Sequence, residues 1–424
     1  MKKYKKINKL INFYLLFVIF YAIFYLYFKH EVGNDTSISE WLINYKGGFT
    51  RRGLGGEINI LISNFFNLPL RISIFYFQAL LHSVYIILIF FYIKNLKLNL
   101  IQIFAFFSPL FLIYPIAEIE ALGRKEILLL IFFISNLIFT EKNFSPKFLN
   151  VSIFLIFPIL CLIWEQVVMF APFFVILIIF KNNLKTFKSS FLYSFLIFLP
   201  SIVTTFFIFA NPLDLEGHKA MCNFLNKEFS ERCYMSADLL VKNTIYFDTI
   251  HIHQSANFFP HYLRYVLIFI IGFSFLHYAL IKGKFIQKNN FIIKYFKPIY
   301  LYALLYLPVI PLFVYGLDWG RWINILYSLS ILLYLFFLKN QVISNKVEFS
   351  NLLLKKIFNT KFLIIVFFYI FAFFWNPKTV ITGDIATNSL YKIVYKSTKI
   401  IFKFESPRFF EDSFLIKFHK KYIE

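Results

Sequence analysis

The chain has 424 residues, 59% hydrophobic and 22% aromatic, with only 16% charged. A water-soluble domain runs at about 45–50% apolar, so an aqueous globule is excluded and lipid is the natural solvent. Lys and Arg number 44 against 22 Asp and Glu, a net charge of +22, which raises the question of a nucleic-acid partner until the positions of the charges are read.

Stretches apolar enough to cross a bilayer, roughly 17–25 residues each, recur along the chain. About eleven are expected, at 11–29, 72–93, 100–117, 126–140, 148–164, 167–180, 190–210, 262–281, 298–315, 322–338 and 361–375. The expected fold class is therefore an all-α polytopic membrane protein, with a transmembrane domain over 1–375 and a tail over 376–424. The opening Met-Lys-Lys-Tyr-Lys-Lys precedes the first span. Under the positive-inside rule this places the N-terminus in the cytoplasm. No small-residue cleavage site follows Phe28, so the first helix reads as uncleaved, and an odd number of spans puts the C-terminus outside.

The charges then divide by side. The cytoplasmic segments 1–10, 94–99, 141–147, 181–189, 282–297 and 339–361 hold 22 Lys and two acids, Glu141 and Glu348; the remaining segments hold 22 basic and 20 acidic residues. The net charge is thus a topology signal, and a nucleic-acid partner loses its support. Sidedness does not explain the arginines. All eight (Arg51, Arg52, Arg71, Arg124, Arg232, Arg264, Arg321 and Arg408) fall on the outer side or at outer span ends. A planar, bidentate guanidinium suits phosphate or carboxylate; outer-surface ion pairing is the plainer alternative.

The outer segments carry the chemistry in chain order. The first, 30–71, holds Asp35, Glu40 and Trp41, then Tyr45-Lys-Gly-Gly48-Phe-Thr-Arg51-Arg52-Gly-Leu-Gly-Gly56-Glu57. Glycines flanking two arginines can form an anion nest, so Tyr45, Gly48, Arg51 and Arg52 read as a diphosphate or carboxylate clamp; a mobile turn is the alternative. Residues 57–70 then read as an in-plane amphipathic helix ending at Pro69. The second outer turn, Glu118-Ile-Glu-Ala-Leu-Gly123-Arg124-Lys125-Glu126, crowds acids and bases against lipid, where they need partners or solvent. Arg124 and Lys125 read either as anion ligands or as local ion pairs. Glu165, in the turn after Trp164 and without flanking cations, is a functional candidate or a surface hairpin turn. Tyr315-Gly-Leu-Asp318-Trp319-Gly-Arg321-Trp322 sets Asp318 and Arg321 on one helical face. Its tryptophans fit an interface belt or a stacking platform for a sugar. The long loop 211–261 contains Cys222 and Cys233; an oxidising compartment favours their disulfide, and two free thiols are the alternative. His251-Ile-His253 is a weak metal signal without a third ligand, so no metal site is assigned. The tail mixes Lys with Ile, Phe and Tyr, as in Tyr391-Lys-Ile-Val-Tyr-Lys, and fits helices lying on the membrane surface. No nucleotide-binding glycine motif occurs.

The arrangement of a cytoplasmic N-terminus, Phe/Ile/Leu-rich spans and an acid-bearing first outer loop followed by an in-plane helix resembles the GT-C glycosyltransferases. The motifs Gly-Gly-Phe-Thr-Arg51-Arg52-Gly-Leu, Gly123-Arg124-Lys125-Glu126, Trp164-Glu165 and Asp318-Trp-Gly-Arg321-Trp also resemble those of uncharacterised bacterial envelope proteins near O-antigen or capsule polymerases. The resemblance covers about residues 11–340. It implies an enzyme of the bacterial inner membrane, facing the periplasm, that takes a saccharide from a polyprenyl-(di)phosphate donor to a lipid-linked acceptor. Asp35 carries over as the acid of the first outer loop, with Glu40 second; Glu165 and Asp318 are further candidate bases. Arg51, Arg52, Arg124 and Arg321 are expected on the diphosphate. No cofactor is assigned, and a divalent cation stays open. A lipid-linked-glycan flippase predicts broken, charged mid-membrane helices and internal repeats, whereas an assembly subunit predicts no converging polar set.

Overall fold

The computed structural model describes residues 2–31, 36–94, 96–142, 144–241, 259–286, 291–344, 360–380 and 389–402. Asp35, His251 and His253 lie outside the described residues. The described residues are helical, with no strand beyond a single bridge between Phe285 and Ile343. In chain order the helices are α1 Lys2–His30, α2 Thr36–Leu42, α3 Leu54–Phe66, α4 Leu70–Ile93, α5 Leu100–Phe106, α6 Tyr114–Ala117, α7 Glu126–Glu141, α8 Pro146–Ile163, α9 Ala171–Lys181, α10 Phe187–Ala210, α11 Leu215–Phe229 and α12 Met235–Asp238. They continue with α13 Phe259–Lys282, α14 Phe291–Tyr295, α15 Pro298–Tyr306, α16 Ile310–Tyr315, α17 Trp319–Lys339, α18 Lys361–Phe373 and α19 Ser389–Phe402.

Seven helical stretches are long and apolar enough to cross a membrane: Lys9–His30, Leu70–Ile93, Pro146–Ile163, Phe187–Ala210, His261–Lys282, Pro298–Tyr315 and Trp319–Lys339. Large apolar side chains such as Phe13, Phe20, Phe206 and Phe362 point away from the protein, as lipid-facing surfaces require. The other four expected spans differ from single long helices. Residues 126–140 form the 16-residue α7, 361–375 the 13-residue α18, and 167–180 a tight turn of 3-10 helix followed by α9. Residues 100–117 are broken between α5 and α6. Pro109 lacks an amide and disfavours helix at Ser108, which explains the break.

Broken backbone is tolerated at membrane depth only inside protein, and here α17 encloses it. This helix is almost wholly buried. Its Asn324 Nδ2 donates to the carbonyls of Leu110 and Phe111 at 2.7 and 3.1 Å, and its Tyr327 hydroxyl donates to Ala105 O at 2.5 Å. These bonds give carbonyls in and before the break a partner that regular helix does not supply there. Buried α17 is also fastened to α7 at both ends: Arg321 Nε lies 2.7 Å from Glu126 Oε1, and Lys339 Nζ 2.8 Å from Glu141 Oε2.

The end of the bundle that carries Glu126 also gathers the segments 36–71, 118–126, 164–170, 211–241 and 315–321. The 211–241 segment is strapped to it. A disulfide joins Cys222 and Cys233, with Cα atoms 5.3 Å apart. Arg71, at the start of α4, grips both Glu231 oxygens at 2.5 and 2.8 Å. Gly47 and Gly217 let the two loops touch: a Cβ on Gly47 would stand 1.8 Å from the Gly217 carbonyl oxygen.

Two helices at this end turn their small or polar side inward. α3 buries Gly55, Gly56, Asn59, Ile60 and Ser63 and exposes Leu61, Phe65 and Phe66; it spans 54–66 where the sequence predicts 57–70, and Asn67 in the left-handed conformation ends it before Pro69. α19 docks on α6 and α1 by its polar face, with Lys392 bonded to Glu118 and the Tyr25 hydroxyl donating to Ile393 O, while Val394 and Ile401 face outward.

Candidate functional site

Four segments distant in sequence bring their charges together at this end. Glu40, near the end of α2, is buried. The turn ahead of α7 sends Arg124 Nη1 to Glu40 Oε1, while Arg124 Nε donates to Glu120 O at 2.7 Å. Arg321 and Arg52 approach the same carboxylate oxygen at 3.8 and 3.9 Å. Arg52 itself grips Glu165 with two nitrogens, Nη2 at 2.7 Å and Nε at 3.0 and 3.1 Å from the two oxygens. Arg321 Nη1 donates to Asp318 Oδ2 at 2.7 Å, one helical turn back. Arg52 has φ +65°, a left-handed conformation disfavoured for a non-glycine residue; its pairing with Glu165 helps hold it there.

The electrostatics follow from burial among opposite charges. Burial pushes the Glu40 carboxyl up, but Arg124, then Arg321 and Arg52, outweigh it and hold the group at about 2. Burial likewise raises Glu165, and the Arg52 guanidinium with its hydrogen bonds brings it to about 2. Lys125 goes the other way. Burial pushes its ammonium down to about 7 against the pull of Glu40. Only 1% exposed, its Nζ donates to Arg52 O at 2.7 Å and lies over the Trp41 ring. No carboxylate stands within ion-pair distance of it among the described residues. Trp41 Nε1 in turn donates to Gly123 O at 2.5 Å.

Of the residues expected from sequence, Glu40, Arg52, Arg124, Lys125, Glu165, Asp318 and Arg321 come together. Asp318 and Trp319 form the open rim: the Asp318 side chain is 31% exposed, and the half-buried Trp319 ring packs among Tyr262, Tyr265 and Phe313. Arg51 stands at the edge of the cluster: its Nη2 donates to Leu239 O at 2.6 Å, and its charge helps to lower the Glu165 carboxyl. In the glycine-rich loop five amides are already paired. Gly48 has φ +110°, but the amides of Gly48, Gly53, Gly56 and Glu57 bond to carbonyls within the loop, and the Tyr45 amide donates to Glu57 Oε1. Tyr45 stacks its ring on Phe49. The cluster arginines meet internal carboxylates, so the site is a charge-balanced ionic network. Sequence reasoning left out Glu126 and Trp41. The signal for Glu126 was an acid opening an apolar helix directly after Arg-Lys, where lipid forbids an unpaired carboxylate.

Gly320 keeps the rim in place. Its amide donates to Thr379 O at 3.1 Å, and a Cβ there would lie 1.9 Å from the Lys378 carbonyl oxygen. Gly320→Ala is expected to force the 378–379 backbone away from α17 and to cost about 1–3 kcal/mol, read as a lower thermal midpoint of the detergent-solubilised protein. An unchanged midpoint would show that the close approach is not needed.

No protein-family model, no curated protein and no solved structure matches the chain.

Proposed function

We propose that the protein transfers or polymerises a saccharide from a polyprenyl-(di)phosphate-linked donor at the outer face of a bacterial inner membrane, in cell-surface polysaccharide synthesis. In this reading the chain crosses about eleven times, with the N-terminus cytoplasmic and the C-terminus outside; the shorter segments 100–117, 126–140 and 167–180 cross inside the protein, and 361–375 crosses at its outward-facing apolar surface. The observation that carries the reading is the convergence of Glu40, Arg52, Arg124, Glu165 and Arg321 beneath a half-open rim of Asp318 and Trp319.

The acceptor sugar stacks on Trp319 and turns one hydroxyl to Asp318. That oxygen attacks the anomeric carbon of the donor. The bond from this carbon to the phosphate oxygen breaks, the diphosphate leaves with the electron pair, and Asp318 takes the hydroxyl proton. Glu165, held by Arg52 on both oxygens, is a poor base and serves to fix the network. Arg321 orients Asp318 and adds positive field toward the departing phosphate.

The test is the pool of lipid-linked saccharides, measured by mass spectrometry in a deletion strain complemented with wild type or Asp318→Asn. The saccharide is expected to accumulate in the deletion and in Asp318→Asn at least tenfold above wild type, with the variant protein present in the membrane. An unchanged pool in both strains would sink the reading. The balance of charge in the network also favours a second reading, a non-catalytic membrane subunit whose ion pairs only tie loops together; it predicts normal pools in Asp318→Asn.

A further inference from the structure

The 211–241 segment gathers sulfur and nitrogen ligands at one point, away from the arginine network. His218 and Cys222 are four residues apart on α11 and so share one face of it. Cys222 Sγ lies 3.7 Å from His218 Nε2 and 3.9 Å from Nδ1. Cys233 comes to the same point from the chain beyond α11, bonded to Cys222. Behind the imidazole stands Asp238, with Oδ1 3.5 Å from His218 Nε2. A nitrogen of His218 and both sulfurs all lie within 4.8 Å of one another. The disulfide accounts for the two sulfurs. It does not account for an imidazole set against them with a carboxylate behind it.

Contacts other than the disulfide hold both halves of this cluster in place. On α11, Met221 is buried with Ile43 and Ala237, and Leu225 with Trp41 and Ile60. On the other half, Arg71 grips Glu231, the Ser39 hydroxyl donates to Ser236 Oγ at 2.7 Å, and Leu239 O accepts from Arg51. Opening the disulfide therefore leaves the two sulfurs as neighbours. A tetrahedral zinc ion, bonded at about 2.3 Å to sulfur and about 2.0–2.1 Å to nitrogen, sets sulfur and nitrogen about 3.6 Å apart and two sulfurs about 3.8 Å apart. The separation of His218 from Cys222 is already close to this, so only the sulfurs have to part.

We propose that the reduced form of this clasp binds Zn²⁺ through Cys222, Cys233 and His218. A dithiol reductant gives two electrons and two protons to the disulfide and closes to a disulfide itself. Zn²⁺ then takes both sulfurs as thiolates and displaces their two protons. His218 ligates through Nδ1 and donates Nε2–H to Asp238, since a carboxylate behind a metal-bound imidazole fixes its tautomer and direction. Water fills the fourth position. The 211–241 segment thus has two mutually exclusive clasps, a disulfide when oxidised and a zinc ion when reduced. The site stands whether or not the saccharide-transfer reading holds, since none of its ligands belongs to the arginine network.

The experiment reduces the full-length protein in detergent with dithiothreitol, removes the reductant without air, and titrates with Co²⁺ and then Zn²⁺. Tetrahedral cobalt with thiolate ligands gives visible d–d bands and a near-ultraviolet charge-transfer band. Both are expected on adding about one equivalent of Co²⁺, and Zn²⁺ is expected to bleach them. The disulfide-bonded protein should show neither. His218→Ala should weaken binding about tenfold or more, and Asp238→Asn several-fold. The double variant Cys222→Ser, Cys233→Ser keeps Cys161 and should lose the charge-transfer band. Persistence of that band in the double variant, undiminished affinity in His218→Ala, or no binding by the reduced protein overturns the site. Size-exclusion elution of the reduced protein is expected to match the oxidised form; aggregation on reduction alone would overturn the claim that the surrounding contacts hold the sulfurs in place.

Discussion

Replacing Glu165 with Gln is expected to cost about 3–5 kcal/mol of stability, and replacing the pair together, Arg52→Met with Glu165→Leu, to recover most of it. The single change leaves a buried guanidinium that held two carboxylate oxygens facing an amide. Its desolvation is then uncompensated, and the left-handed backbone at Arg52 loses the contact that offsets its strain. The double change removes both desolvation costs and fills the space with apolar atoms, which is often neutral for a buried pair. Thermal midpoints by size-exclusion chromatography of the solubilised protein give the stability, and lipid-linked saccharide pools give the activity. A double variant that is stable and still supports wild-type pools would make this pair purely structural. One that is stable with accumulated saccharide ties the pair to the chemistry. A Glu165→Gln protein as stable as wild type would contradict the burial argument itself.

Acidification provides the second large effect. Glu40 and Glu165 are held at about 2 in the folded protein, against 4.5 for an ordinary carboxyl. The unfolded chain therefore binds protons first as pH falls, and stability is lost with them. The contribution is complete above about pH 5, declines through pH 4 and 3, and is gone near pH 2. A tenfold change in proton affinity is worth about 1.36 kcal/mol, so each carboxyl contributes on the order of 3 kcal/mol. The thermal midpoint is expected to fall steeply between pH 5 and 3, and less steeply in the Arg52→Met, Glu165→Leu variant, which lacks one of the two groups. A flat midpoint over that range would mean the two carboxylates are not held ionised by the arginines.

The composition of the chain made its helical, lipid-facing character legible, because seven stretches are apolar over their whole length and nothing but helix satisfies their amides in lipid. Residue type also singled out the network: Arg in a lysine-rich chain, and acids crowded beside lipid, mark Arg52, Arg124, Arg321, Glu40, Glu165 and Asp318. The pairing was not legible. Which acid meets which guanidinium depends on how four loops cross, and the expected diphosphate clamp is met instead by Glu165 on Arg52 and Glu40 on Arg124. Periodicity also overstated the segment 100–117, since Phe and Ile continue through Pro109 while the hydrogen bonds do not. Proline alone would not have decided it: Pro158 and Pro200 sit inside α8 and α10 without ending them. What differs at 107–113 is that Asn324 and Tyr327, more than two hundred residues later in the chain, stand ready to take the carbonyls. In the tail, the mixture of Lys with Ile and Tyr in α19 marked a helix with two unlike faces; the buried Glu118 that receives Lys392 was visible only as one acid among several.

The double fastening of α17 to α7 has a consequence for movement. Two packed helices can ordinarily ratchet past one another by a turn, about 5.4 Å, or roll about their axes. With Arg321 on Glu126 at one end and Lys339 on Glu141 at the other, either motion would have to break both pairs. The two helices act as a truss, and the broken segment hung on Asn324 and Tyr327 travels with them. An alternating-access cycle with its shear plane between α7 and α17 would have to break both pairs at every turn. Any working motion has to take place around this frame, among the loops of the end that carries Asp318.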